Sequence, residues 1–310
     1  MSKNNWALQN IPDLTGKTVI VTGGNSGLGF ETVKAFVLKG AEVIMACRSK
    51  DKGEKAKAEI LQLIPKGKIE VMALDLMDLS TIREFAEQFK TKFSKLDILM
   101  NNAGIMTTPY GLTKDGFESQ IGTNHLGHFA LTGLLLDVIA KTSNARVVTT
   151  SSMAHKQGKM NFDDLLYENG KGYTPLSAYG RSKLSNLLFA YELQRFFETN
   201  KIDAISVAAH PGVAETNLGR HLEDKFWYKV LLPVFRFMIQ NQTDGALPQI
   251  RAAVDSEVKG GEYYGPDGFN EMKGNPVLVN SNKASHNVED AKKLWVISEK
   301  LTGVKFKIYH

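Results

Sequence analysis

Only one cysteine, Cys47, stands in a chain of 310 residues. An intrachain disulfide is therefore excluded, and the composition suits a reducing compartment. No uninterrupted apolar run reaches the length of a membrane span; the nearest, Phe226 to Ile239, is broken by Lys229, Pro233 and Arg236. The opening residues, Met1 to Trp6, are too polar for a secretory signal. No internal repeat, low-complexity segment or Ser/Gly/Pro-rich linker divides the chain, so a single domain over residues 1–310 is expected. A basic block is also lacking. The net charge of +5 and the pI near 9.0 come from dispersed lysines, which is the pattern of a solvated surface and not of a nucleic-acid interface. What is there, 43% hydrophobic and 23% charged residues, is ordinary for a soluble globular protein. The expected location is the cytoplasm.

The patterning alternates. Lys17 to Val21, Ala41 to Ala46, Lys68 to Leu74, Leu96 to Met100, Arg146 to Ser151 and Ala204 to Ala209 read as short buried strands. Helical patterns lie between them: one ending at Gly40, then Lys50 to Leu63, Leu79 to Phe93, an apolar Thr123 to Ala140 and Tyr179 to Glu198. Thr243 to Val254 and Glu289 to Leu301 read as later helices, and Glu262 to Gly265 as a last short strand. Such alternation predicts an α/β fold, a doubly wound, mostly parallel (Rossmann) sheet with helices on both faces.

Two stretches carry chemistry. Tyr179 and Lys183 are four residues apart in a helical pattern and so share a face. A cation beside a phenol lowers its pKa from about 10. Three units of lowering would need about 4 kcal/mol and would make Tyr179 an acid or base near neutral pH. Such pairs also occur in ordinary helices, so the rest of the chain must supply the context. Thr22-Gly-Gly-Asn-Ser-Gly-Leu-Gly29 joins a predicted strand to a predicted helix. Glycines there permit close backbone approach, and the helix N-terminus offers free N–H groups to a pyrophosphate. The end of the second strand, where an adenine ribose would lie, reads Ala46-Cys47-Arg48-Ser49-Lys50. With a guanidinium and no carboxylate there, a 2′-phosphate is favoured, hence NADP(H), with NAD(H) the alternative.

Further short motifs follow in order between residues 17 and 217: Asp75-Leu76, Asn101-Asn102-Ala103-Gly104, Asn124, Ser151-Ser152, Tyr179-x3-Lys183 and His210-Pro211-Gly212 with Thr216 beyond. In their order the chain resembles the single-domain short-chain dehydrogenase/reductase family. Ala46-Cys47-Arg48, Asn124 to Phe129 and Ser182 to Asn186 are similar to its retinol dehydrogenase-like oxidoreductases. The resemblance implies an NADP(H)-dependent oxidoreductase interconverting an apolar carbonyl and an alcohol. It implies Tyr179 as general acid/base, Lys183 as its modulator and ribose contact, Ser152 as the hydroxyl that orients the substrate oxygen, and Asn124 as holder of a relay water. Cofactor contacts are implied for Gly23, Asn25, Ser26, Gly27, Leu28 and Gly29, for Arg48, Asp75 and Leu76, and for Asn102, Ala103 and Gly104. They are also implied for Thr150, Tyr179, Lys183, Pro211, Gly212, Val213 and Thr216. Residues 17–212 would form the cofactor-binding and catalytic core, 213–240 a substrate lid, and 241–310 the C-terminal helices and last strand. A homodimer or homotetramer is also implied. The long insert between Ser152 and Tyr179 should reshape the pocket mouth.

Other readings are weaker. His125 and His128 have a spacing that can hold a metal but lack a matching third ligand. His155 lies near Ser152, but no Gly-x-Ser-x-Gly elbow surrounds the serine. Cys47 reads as a small buried hydrophobe. A non-catalytic NADPH-binding sensor or scaffold is the rival class, set against by the presence of both Tyr179 and Lys183. A sugar-nucleotide epimerase or dehydratase would need a second subdomain that is not evident. Residues 226–239 could form a lid, a subunit contact or a membrane-surface patch.

Overall fold

A computed structural model describes residues 6–213 and 240–307. Its centre is an eight-stranded sheet of order β3-β2-β1-β4-β5-β6-β7-β8. The strands are β1 Thr18–Thr22, β2 Glu42–Cys47, β3 Lys68–Ala73, β4 Ile98–Asn101, β5 Ala145–Thr150, β6 Ala204–Ala209, β7 Tyr263–Pro266 and β8 Pro276–Leu278. All pairings are parallel except the edge pair β7–β8. The order reverses between β1 and β4, which opens a crevice beyond their carboxyl ends.

The central strands are largely apolar because both faces are covered, whereas the edge strand β3 carries Lys68 and Glu70. Alternation sorts them: Val19, Val21, Val43 and Met45 face one core, Ile20 and Ile44 the other. On the first face lie α1 Gly27–Leu38, α2 Lys50–Leu63 and a late helix, α8 Gln242–Val254, through Phe36, Ile60 and Ile250. The second face is covered by α3 Leu79–Lys92, by the short helices α4 Ser119–Ile121, α5 Gly127–Leu134 and α6 Leu136–Lys141, and by α7 Pro175–Thr199. Phe85, Phe129, Phe189 and Phe197 fill that side. The last helix, α9 Val288–Thr302, adds Trp295, against which Phe306 packs at 4.4 Å between ring centroids.

Two expectations are corrected. The predicted helix Thr123–Ala140 is not continuous. A π turn occupies Gly122–Leu126, and Leu135 breaks the helix again at φ −99°, ψ 2°. Within the π turn the Asn124 side chain bonds the backbone of Ile105 in both directions. Gly127 lets it pass the Leu76 carbonyl, which a β-carbon would approach to 2.7 Å. Such widened turns concentrate at functional sites. The antiparallel strand β8 was also not foreseen: three residues carry too little periodicity to be read. Helix α7 starts four residues earlier than expected, because Thr174 caps it through the Ser177 N–H and Pro175 occupies its first turn.

Four described histidines are buried, and burial favours the neutral form of each. Burial holds His125 down at about 3, and His128 and His155 at about 4. An unfolded chain would take up protons below about 6.5, whereas the native state resists, so stability must fall on acidification. Between pH 6.5 and 5.5, where ordinary carboxylates remain ionised, each histidine should cost up to roughly 1.4 kcal/mol per pH unit. Thermal unfolding followed by circular dichroism should show Tm dropping steadily over that interval. A flat Tm would contradict their neutral burial.

Candidate active site

The turn after β1 is shaped by glycine. Gly23 and Gly27 have positive φ, 66° and 56°. A β-carbon on Gly29 would sit 2.3 Å from the Gly23 carbonyl oxygen and 2.7 Å from Asn102 Nδ2. The turn therefore folds tightly onto the start of α1 and onto the loop after β4. Thr22 ties these together. Its hydroxyl accepts the N–H groups of Asn102 (3.0 Å) and Ala103 (2.9 Å), while its carbonyl accepts Asn102 Nδ2 (2.8 Å). His128 Nδ1 donates to the Asn124 carbonyl, leaving Nε2 to accept the Thr22 hydroxyl at 2.9 Å. His128 is thus a bonded core residue linking the π turn to the glycine turn.

Beyond this turn lies a cavity of about 370 Å³, within the size range of ligand sites. Asn25 through Gly29 form one wall, Arg48 with Asp75 and Leu76 another, and Asn102 to Gly104 a third. Gly23 lines it as well. Thr22, Cys47, Met77, Ile105 and Thr123 also line it, although the sequence reading did not assign them as contacts. Arg48 follows the end of β2 and lines the cavity. Cys47 donates weakly to the Ser49 carbonyl, and burial pushes its thiol up, which is the behaviour of an inert buried residue.

At the Gly104 end the catalytic candidates converge. A β-carbon on Gly104 would lie 3.0 Å from Asn124 Oδ1 and 3.5 Å from Lys183 Nζ. Lys183 Nζ donates to the Thr150 carbonyl at 3.1 Å, as does Asn186 Nδ2 at 2.9 Å. Asn124 Nδ2 donates to Ser182 Oγ (2.9 Å) and the Ile105 carbonyl (3.0 Å). Its amide donors are therefore engaged by protein, and a relay water could reach only the remaining acceptor capacity of Oδ1. Ser152 caps the 3-10 helix Met153–Gln157 and is close enough to Tyr179 to favour its ionised form. Ser151 turns away, donating to the Lys183 carbonyl at 2.8 Å.

The expected acidification of Tyr179 by Lys183 is not produced by these residues. Burial pushes the phenol up, opposed by Ser152, and pulls Lys183 down to about 8. Lys183 Nζ lies 5.8 Å from the phenol ring centroid, and desolvation is the largest influence on both groups.

The remaining candidates frame this end. The turn Pro211-Gly212 has Gly212 at φ 66°, packed so closely that a β-carbon would lie 2.3 Å from the Met272 carbonyl. Val213 donates to that carbonyl at 2.7 Å and accepts from Gln240 N–H at 2.9 Å. His210 Nε2 faces Glu271 at 3.0 Å, and Glu271 also binds Lys156 at 3.0 Å, so its carboxyl is held down at about 2. Thr150 is buried at the end of β5 and does not line the cavity. Thr216 and the apolar stretch 226–239 expected to form a lid lie outside the described residues. The insert after Ser152 is anchored by Arg181, midway between Tyr179 and Lys183 along α7. Its guanidinium lies 3.8 Å from the Tyr167 ring centroid and donates to the carbonyls of Lys159, Asp164 and Leu165.

The profile of the short-chain dehydrogenase family matches residues 17–226. The chain belongs to that family. It is 39% identical to retinol dehydrogenase 12 of Mus musculus over 296 residues, spanning 95% of this chain and 89% of that protein. Retinol dehydrogenase 13 of Homo sapiens is 38% identical, over 94% of this chain and 86% of that one. A crystal structure of an uncharacterized protein from Mycobacterium paratuberculosis superposes with a TM-score of 0.81 at 40% identity, covering 98% and 100% of the two chains. A short-chain dehydrogenase from Shigella flexneri, solved with NADP, shares the fold at a TM-score of 0.62 and 19% identity, over 81% and 97% of the two chains. This short-chain dehydrogenase is thus an oxidoreductase with retinol dehydrogenases among its relatives. Among its described residues no helix is long and apolar enough to cross a membrane.

Proposed function

We propose that the chain is an NADP(H)-dependent oxidoreductase that interconverts an apolar aldehyde or ketone and its alcohol, with Tyr179 as proton donor and acceptor. One observation carries this reading: Lys183, with Tyr179 and Ser152 beside it, sits behind Gly104 at one end of a crevice whose other end is a glycine cradle. Gly29 holds that turn closed against the Gly23 carbonyl and Asn102, and Gly23 with Asn25 to Gly29 lines the cavity, so the residues present fit a dinucleotide. Gly23 and Asn25 to Gly29 would hold the pyrophosphate, and Arg48 a 2′-phosphate. Asp75 and Leu76 would border the adenine, and Asn102 to Gly104, Lys183 and the turn at Pro211 to Val213 the nicotinamide half. A nicotinamide supplies and accepts the hydride.

This chain's residues then handle the oxygen. Ser152 donates a hydrogen bond to the substrate oxygen and stabilises developing charge. Tyr179 delivers the proton. Its raised pKa keeps that proton in place at neutral pH, the state that carbonyl reduction requires. Lys183 binds the ribose and supplies positive charge, while Asn124 fixes the loop at Gly104 and Ile105 against α7. The reducing setting suits the single buried thiol of Cys47 and a cytoplasmic location.

Absorbance at 340 nm tests the reading, with NADPH or NADH and a panel of apolar aldehydes and ketones. Turnover is expected, faster with NADPH. Arg48→Glu should shift the preference toward NADH by about tenfold or more, since a charged hydrogen bond to phosphate is replaced by repulsion. No turnover of any carbonyl by protein that binds NADPH would overturn the proposal.

A further inference from the structure

Gln249 lies on α8, far along the chain from the residues that gather at the crevice, and its side chain is 2% exposed. Its amide is nevertheless spent on three of the crevice's supporting elements. Nε2 donates to Thr32 Oγ1 of α1 at 2.7 Å and to Asn102 Oδ1 after β4 at 3.0 Å. Oε1 accepts the hydroxyl of Thr150 at the end of β5, also at 3.0 Å. Each partner continues the connection. Asn102 passes it to the Thr22 carbonyl at the start of the glycine turn, and its Nδ2 occupies the space beside Gly29. Thr150 offers its backbone carbonyl to Lys183 Nζ. One buried amide thus spans the nucleotide end and the lysine end of the site.

We infer that Gln249 is a positioning residue: it sets the orientation of the Asn102 amide and so the shape of the glycine cradle, and nucleotide affinity depends on it. An amide can do this because it combines two donors and an acceptor in one plane. The Asn102 side chain could otherwise turn its amide by half a rotation, placing its donors where the acceptor now sits. With Gln249 donating to Oδ1, only Nδ2 can face the Thr22 carbonyl. A buried group left without this partner would reorganise, because an unsatisfied acceptor there is costly.

The inference rests on the reading of the crevice as a nicotinamide nucleotide site, and the experiment separates the two. Full-length wild type, Gln249→Leu, Gln249→Glu and Thr32→Val are titrated with NADPH, following the nucleotide's fluorescence, and Tm is recorded for each. Thr32→Val removes one bond of Gln249 but leaves the one to Asn102. Wild type should bind. Gln249→Leu and Gln249→Glu should both raise the Kd for NADPH by about tenfold or more, whereas Thr32→Val should stay within about twofold while lowering Tm. Gln249→Glu retains the acceptor for Thr150 but loses both donors, so it carries the same test if the leucine variant does not fold. At saturating NADPH the variants should keep the KM of wild type for the carbonyl substrate. A glutamine variant that lowers Tm yet binds NADPH with wild-type Kd would overturn the positioning role, leaving the nucleotide site intact. Wild type that binds neither NADPH nor NADH would overturn the site reading and the inference together.

Discussion

Tyr179→Phe is expected to leave a folded protein that binds NADPH as wild type does and reduces carbonyls about a thousandfold more slowly, the mid-range loss for a positioned general acid. The phenylalanine keeps the buried ring and loses only the hydroxyl. Tyr179 is 7% exposed on α7, and its ring is held in place by the helix. Packing should therefore survive, and the loss should appear in kcat with little change in nucleotide affinity. Initial rates at 340 nm and a fluorescence titration with NADPH separate the two effects. If the phenylalanine variant retained the wild-type rate, proton delivery would have to come from elsewhere. The same variant distinguishes an enzyme from a nucleotide sensor, whose response would not need the phenol.

Gly29→Ala should have the other large effect, on nucleotide binding and stability together. The added β-carbon would lie 2.3 Å from a backbone carbonyl and 2.9 Å from its carbon, and neither is the end of a flexible side chain. Relief requires the glycine turn to open, at a cost of about 3 kcal/mol, the upper end for overpacking a tight site. NADPH affinity should fall by at least about tenfold as the cradle distorts. Gly27→Ala is the comparison. Gly27 has φ 56° but no neighbour near its missing β-carbon, so only backbone strain of about 1–2 kcal/mol applies. Calorimetry and nucleotide titration of the two variants should rank Gly29→Ala as the more damaging. Equal effects would mean that conformational strain, and not close approach, governs the turn.

Much of this site was legible because its parts are local. Tyr179 and Lys183 share a helical turn, the glycine run joins a strand to a helix, and Arg48 ends the strand beside it. Each needs only a few residues to announce itself. The apolar pattern from Thr123 to Ala140 reads as one continuous helix because its composition holds no sign of a π turn. That turn follows from Asn124 bonding to the loop at Ile105. Gln249 was missed for a similar reason. A single polar residue in an amphipathic helix carries no signal until its partners, 99 and 217 residues away, are brought to it. The direction of the Tyr179 shift was misjudged because spacing reports proximity along a helix and not the burial that both groups share.

Order along the chain decided the fold class, the reversal of strand order and the residues brought to the crevice, because two-sided burial of parallel strands and turn chemistry are written in neighbouring residues. Tertiary structure alone decided how the amides of Asn102, Asn124 and Gln249 interlock, which serine faces the phenol, and which charges survive desolvation. Those outcomes depend on distances between segments remote in the chain and on the water excluded when they close together.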